Sequence, residues 1–443
     1  MKSKAQNYVK WKERLWLFKV YILLLPLLFS CKGSDSGIDQ FDPNAPVEVT
    51  AIIPETGLAA LPLVIHGKNF GTDKSKIKVL FDNTEAQIIT VKNEHLYLLT
   101  PRQSAGEHTV KVIVDGKEGV LSQKFNYIVT SSVTTVAGSG IQETDDGSAL
   151  EANFAGPNYI SVDDKGNILV SDYRGYYLRL VSLNDNKVST LINNEDGVYG
   201  TCFSPDYSTL YVAIENKSKL ANEFERNSSW LRTVIQNPFI DKPGMSYGAP
   251  AVAVNSKGDV FYIGYMGGIV KKNRDTDQLS YIGQISSTLI DIEADGDGVD
   301  YYAAYNPKDD HIYISTKFDH VIIRFDTRKE TLTSEDFEIY AGVLHSNGLN
   351  NGTRLSATFN SPKGIAFDSK GNMYIADSGN NVIRMITPEG HVSTLAGKPE
   401  GGHKDGAIEE ALFKGPSDVT VSPEDFIYVA DYNNYRIRCI AIQ

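Results

Sequence analysis

The chain has 443 residues, 22% charged and 41% hydrophobic, with 37 Gly, 24 Tyr and 18 Phe. That apolar share is ample for a packed core and excludes a wholly disordered or collagen-like chain, while a formal charge of −12 argues against sequence-independent nucleic-acid binding, which needs a basic surface. Three cysteines are too few for a disulfide scaffold.

Residues 1–30 are a separate compositional block. Lys2, Lys4, Lys10, Lys12, Arg14 and Lys19 stand against Glu13 alone, and an apolar run follows from Val20 to Phe29. The run is short for a membrane span and Pro26 interrupts it, which predicts a signal peptide. It ends in Leu28-Phe29-Ser30-Cys31, which resembles the bacterial lipobox, with a bulkier Phe29 than is usual. The resemblance implies lipidation of Cys31, and residues 31–46 then read as a polar tether to the membrane. Asp35 and Asp39 add a slight acidic hint of export to the surface.

Residues 47–129 read as short alternating strands broken by turn signals, a small β-sandwich. Pro54-Glu55-Thr56-Gly57, Ile65-His66-Gly67-Lys68-Asn69-Phe70-Gly71, Thr100-Pro101, Gly106 and Phe125-Asn126-Tyr127 resemble the immunoglobulin-like IPT/TIG family. The resemblance implies a fold more than a chemistry: a spacer or docking module.

Residues 133–443 repeat a strand–turn–strand unit. The turns begin at Asp163, Ser204, Asn255, Asn306, Asp368 and Ser422, at steps of 41–62 residues, as in propeller blades. Tyr374-Ile375-Ala376-Asp377-Ser378-Gly379-Asn380-Asn381-Val382-Ile383-Arg384 is matched by Tyr428 to Arg438 and, more loosely, by Leu169 to Arg179. These segments resemble NHL repeats; blades two to four rest on spacing alone. The sixth repeat lacks a counterpart of Val392 to Gly397, and Val133 to Gly138 supplies it, so the segment 133–138 is expected to close a six-bladed ring and remove a sheet edge. The fold class is therefore all-β, a sandwich followed by a six-bladed propeller.

Asp172, Asp377 and Asp431 each precede an arginine (Arg179, Arg384, Arg438) by seven residues; repetition in every good blade marks a scaffold tie rather than a site. The acidic run Asp291, Glu293, Asp295, Asp297 and Asp300 is the one concentrated carboxylate loop, a candidate Ca²⁺ site whose alternative is a solvated turn. It resembles the start of an EF-hand loop, but Tyr302 stands where the bidentate Glu belongs. The histidines do not fall on matched inner strands, as a channel metal would require. Cys202 and Cys439 lie in strand patterns as inert thiols.

Aromatic loops remain: Tyr173, Tyr176 and Tyr177 in blade one, Tyr432 and Tyr435 in blade six, and Trp230 beside Glu215–Ser229, read as an insertion. Flat amphipathic rings near Asn and Asp suit a sugar. The whole arrangement looks like accessory surface lipoproteins of Bacteroidetes nutrient uptake. That implies an outer-membrane, lipid-anchored, non-catalytic binder of a polysaccharide or oligosaccharide, beside an outer-membrane transporter. The alternatives are a protein- or peptide-binding scaffold and a metal-dependent lyase or hydrolase.

Overall fold

The computed structural model describes residues 41–57, 62–101, 103, 106–128, 131–172, 176–193, 197–246, 248–287, 289–290 and 301–442. The chain divides into two compact units, ending at Ile128 and beginning at Val129.

In the first unit the strands Glu48–Ile53, Pro62–Lys68, His95–Leu99 and Gln87–Lys92 form one sheet, and Lys117–Val120, Val110–Val114, Ile77–Phe81 and Thr84–Glu85 another. Alternation along Ile77–Phe81 and Val110–Val114 turns Val79, Phe81, Val110 and Val112 inward, where they are fully buried. The rings of Phe81 and Phe125 meet edge to face at 5.2 Å. Gly67 lies flush against the Glu48 carbonyl and the Phe70 ring, leaving no room for a Cβ. Asn69, at φ 63°, donates its amide to the Asp42 and Ala45 carbonyls and pins the entering chain. These contacts explain the Gly-Lys-Asn-Phe spacing.

The second unit is a ring of six antiparallel sheets. Their inner strands are Pro157–Val162, Gly197–Phe203, Ala251–Val254, Tyr301–Asn306, Pro362–Phe367 and Pro416–Val421, each beside the next and the last beside the first. The sixth blade is completed by Ser131–Ala137, which pairs with Arg436–Ile442 (Val133 with Ile440, Thr134 with Cys439). Each inner strand leaves through a tight turn whose first side chain caps it. Asp163 Oδ1 accepts from the Lys165 and Asn167 N–H groups, both at 2.8 Å, and Asp368 and Asn255 do the same in blades five and three.

The Asp–Arg pairs tie the fold together. Arg384 is wholly buried; it donates to Asp377 at 3.0 Å, to the Thr358 and Asn350 carbonyls, and to Asn351 Oδ1 at 2.8 Å. Arg438 repeats this with Asp431, Leu412, Lys404 and Asp405, and Arg179 with Asp172, Asn153, Asp145 and Asp146. Each guanidinium also sits 5.1–5.4 Å from a phenylalanine centroid: Phe359, Phe413 or Phe154. The partners lie in a second repeat that the strand spacing alone does not reveal: Asp146-Gly147 to Ala152 and Phe154, Asn351-Gly352 to Ala357 and Phe359, Asp405-Gly406 to Ala411 and Phe413. In each the glycine starts a two-residue strand on the outer edge of blade one, five or six. Ala221 and Ile323 hold the arginine's register position in blades two and four.

Candidate functional site

Antiparallel order gives the propeller two unlike faces. The tight turns after the first and third strands open on one; the turns after the second strand and the long inter-blade loops open on the other. Tyr176, Tyr177, Tyr432 and Tyr435 all belong to the long-loop face, at the second turns of blades one and six. Tyr176 is 46% exposed and Tyr177 half-buried. Tyr435 donates its hydroxyl to Gln142 Oε1 at 3.0 Å, in the loop entering blade one. Trp230 does not join them. It follows the left-handed Ser229 in the third turn of blade two, on the opposite face, and packs half-buried against the cluster of Leu178, Val198, Phe203 and Phe224. The segment beside it is no insertion: Lys219–Glu225 is the third strand of blade two, paired with Thr209–Glu215. Tyr173, the acidic residues Asp291, Glu293, Asp295, Asp297 and Asp300, and Cys31 lie outside the described residues.

The symmetry breaks at the axis. The matching inner-strand position carries Tyr159 in blade one, Gly364 in blade five and Asp418 in blade six. Tyr159 stacks on Tyr302 of blade four, the blade across the ring, with centroids 4.3 Å apart and planes at 24°. Tyr302 donates its hydroxyl to Asn158 Oδ1 at 2.9 Å. Two opposite blades thus meet directly, and the axis is closed by aromatic rings at this level. Tyr199 and Tyr265 extend the cluster, and Tyr199 donates to the exposed Glu215 at 2.8 Å.

Above this plug the Lys363 ammonium lies 5.9 Å from the Tyr302 centroid and 5.8 Å from that of Tyr432, joining the axis to the sixth blade's loop. Asp418 is buried beside it and accepts from the Ile160 and Val419 N–H groups at 2.8 Å each. Burial drives its carboxyl well above the usual range, with Lys363 and the two amides pulling the other way. Gly364 has no space for a side chain because Asp418 fills it. Lysine, phenols and a carboxyl therefore converge at the axial mouth of the long-loop face. Of these only Tyr432 stands out by loop position; Tyr159, Tyr302, Lys363 and Asp418 show themselves as departures from a repeated position once the blades are superposed in register.

The thiols are inert. Burial pushes Cys439 up to about 12 and Cys202 up to about 11, and the two are not bonded to each other. His320 accepts from the Ser361 N–H at 3.0 Å, and its own burial lowers its pKa.

Comparison with known proteins bears on the same elements. Residues 46–133 match the IPT/TIG domain, 249–404 the Teneurin NHL domain and 413–440 the NHL repeat. The chain joins an IPT/TIG domain to an NHL propeller. Among solved structures it is similar to a Bacteroides thetaiotaomicron structural-genomics protein of unknown function, 27% identical, with TM-score 0.70 over 91% of this chain and 100% of that one. It is also similar to an auxiliary nutrient binding protein from Bacteroides ovatus, 23% identical, with TM-score 0.62 over 91% and 100% of the two chains. Among curated relatives, Protein SUPPRESSOR OF QUENCHING 1 of Arabidopsis thaliana is 24% identical over 70% of this chain, which spans 27% of that protein. The chain covers about a quarter or less of the first curated relatives it matches.

Proposed function

We propose that the protein is a non-catalytic cell-surface lipoprotein whose long-loop face binds an extracellular polysaccharide or oligosaccharide, as an accessory to a nutrient-uptake system. The observation that carries this reading is the axial mouth, where the residues that break the blade repeat gather as stacked phenols, a lysine and a buried carboxyl. A plugged axis suits a ligand resting on the mouth, with sugar faces against the half-buried loop rings Tyr432 and Tyr435 and hydroxyls against Glu215 and Lys363. The likeness to the auxiliary nutrient binding protein of Bacteroides ovatus supports the same class of role. The lipobox-like Leu28 to Cys31 supports anchoring at the outer membrane through Cys31, beside a transporter that receives the ligand.

The test is a glycan-array screen of the soluble protein from Asp39 onward, with and without EDTA, repeated with Tyr432→Ala and Tyr435→Ala. Loss of one aromatic contact should weaken a hit about three- to tenfold, and the hit should survive EDTA. A hit abolished by EDTA would move the reading to Ca²⁺ at the loop Asp291 to Asp300. An empty array, with a peptide captured instead, would replace the glycan by a protein partner.

A further inference from the structure

We propose a second binding site on the opposite, short-turn face: the seam between blades two and three takes one neutral, hydroxyl-rich ring of hexose size. This goes beyond the reading above and stands even if the axial mouth binds nothing.

The seam holds a cleft of about 270 Å³ whose walls include Ser204, Asp206, Ser208, Tyr211, Ser256 and Arg274. The decisive residue is Tyr211. It is 9% exposed and lines the cleft, yet its hydroxyl makes no hydrogen bond among the described residues. The ring is packed away while the hydroxyl oxygen opens into the cleft, so a ligand there can take the O–H in place of water. Burial and the neighbouring Glu223 push its ionisation far up, so it stays a neutral O–H donor.

Asp206 is set for the complementary task. Its Oδ1 accepts from Ser204 Oγ at 2.6 Å and from the Ser208 N–H and Oγ at 3.1 and 2.8 Å, which leaves Oδ2 open. The same donors hold its carboxyl down to about 2, so it is an acceptor at any physiological pH. Arg274 comes from the third turn of blade three. Its backbone N–H bonds Asp259 and one Nη1 the Lys257 carbonyl at 3.3 Å, while Nε and Nη2 have no partner among the described residues. Gly258, at φ 89°, leaves room for the arginine stem to lie along the turn.

One open carboxylate oxygen, one guanidinium edge and one phenol O–H make an alternating set of acceptor and donors, the pattern that neighbouring hydroxyls satisfy. The charges of Asp206 and Arg274 offset each other, so the set favours a neutral ligand; an anionic one meets Asp206. The volume lies just under the roughly 300–1,000 Å³ of drug-sized sites, which fits a single ring with the rest of a chain outside.

The test is saturation-transfer NMR of the purified protein with the methyl glycosides of glucose, galactose and mannose, and with methyl glucuronide as the anionic counterpart. Transfer to at least one neutral glycoside is expected, with affinity reduced about tenfold in Tyr211→Phe and in Arg274→Ala, and unchanged in Tyr432→Ala. Tyr211→Phe keeps the ring, and an unchanged melting curve shows that the variant is folded. No transfer to any neutral glycoside, equal affinity in wild type and Tyr211→Phe, or a preference for the glucuronide overturns the proposal. Polysaccharide binding lost in Tyr432→Ala but kept in Tyr211→Phe reports on the axial mouth alone, so failure at one face is distinguishable from failure at the other.

Discussion

Blades five, six and one form an arc in which the long loop is bolted to its blade by a buried arginine; blades two, three and four show no such bolt among the described residues. In the first arc Arg384, Arg438 and Arg179 each join an aspartate, a phenylalanine ring and two loop carbonyls, and a short fifth strand covers part of the outer edge. In the second arc the outer strands Leu231–Gln236, Leu279–Gln284 and Glu338–Ala341 stand last in their sheets, apolar clusters such as Phe261, Ile312, Ile323 and Phe325 fill the arginine's place, and the buried cations are lysines, Lys271 on Asp259 and Lys272 on Glu223. Two solutions to one packing problem coexist in one ring. The bolted solution constrains sequence, because a buried charge needs every partner in place; the apolar solution tolerates drift, because hydrophobic residues of similar volume substitute for one another.

The comparison can be broken most forcefully at the bolt. Arg384→Ala leaves Asp377 buried without its cation, and should cost about 3–5 kcal/mol in chemical denaturation. A cost under about 1 kcal/mol would show that the arc does not depend on its arginines. At Ile323, in the same register without a bolt, Ile323→Val should cost about 0.5–1.5 kcal/mol.

Edges sharpen the contrast without a change in global stability. Amides facing outward in Leu231–Gln236 should exchange with solvent faster than those of Lys187 and Val188, which lie under the fifth strand Gly147–Ser148. Equal protection would mean that the short strands cap nothing.

The smallest effect concerns the two thiols, one in each arc. With Cys202 at about 11 and Cys439 at about 12, both stay protonated at pH 8, and iodoacetamide should label the folded protein roughly a hundredfold more slowly than the unfolded chain. An acid whose folded value lies above its unfolded one binds more protons when folded. These thiols therefore withdraw stability as pH rises above about 9, the ordinary thiol value, and below it they contribute no pH dependence. Labelling of Cys202, which is half-buried, should precede that of the buried Cys439.

What the sequence makes legible follows the same division. The bolted blades carry the Asp-to-Arg spacing and their turns, so their existence and the closing strand near Val133 can be read directly. The number of the remaining blades comes from turn spacing, which survives because Ser204, Asn255 and Asn306 cap the turns with their own side chains. The Asp-Gly to Ala-Phe repeat escapes such a reading because it lies in loops, outside the strand pattern. Trp230 looks like a ligand contact beside an insertion, since alternation along Lys219–Glu225 is blurred by Asn222 and Glu223, which face Val212 and Tyr211 across the ladder. The axial residues are illegible for another reason. Tyr159 and Tyr302 lie far apart in sequence and meet only because six blades close into a ring.

That closure has a consequence for the order of events in folding. Ser131 pairs with Ile442 across nearly the whole propeller, so the strand Ser131–Ala137 is synthesised first and finds its partner last. Until the intervening blades have formed it offers an unsatisfied ladder, the kind of template that invites pairing with another unfolded chain. A ring sealed this way is slow to assemble, since its final contact joins the most distant parts of the fold. The Velcro-like sixth blade thus makes the finished disc free of an open seam, and makes the unfinished one dependent on being kept apart from its neighbours until the last strand arrives.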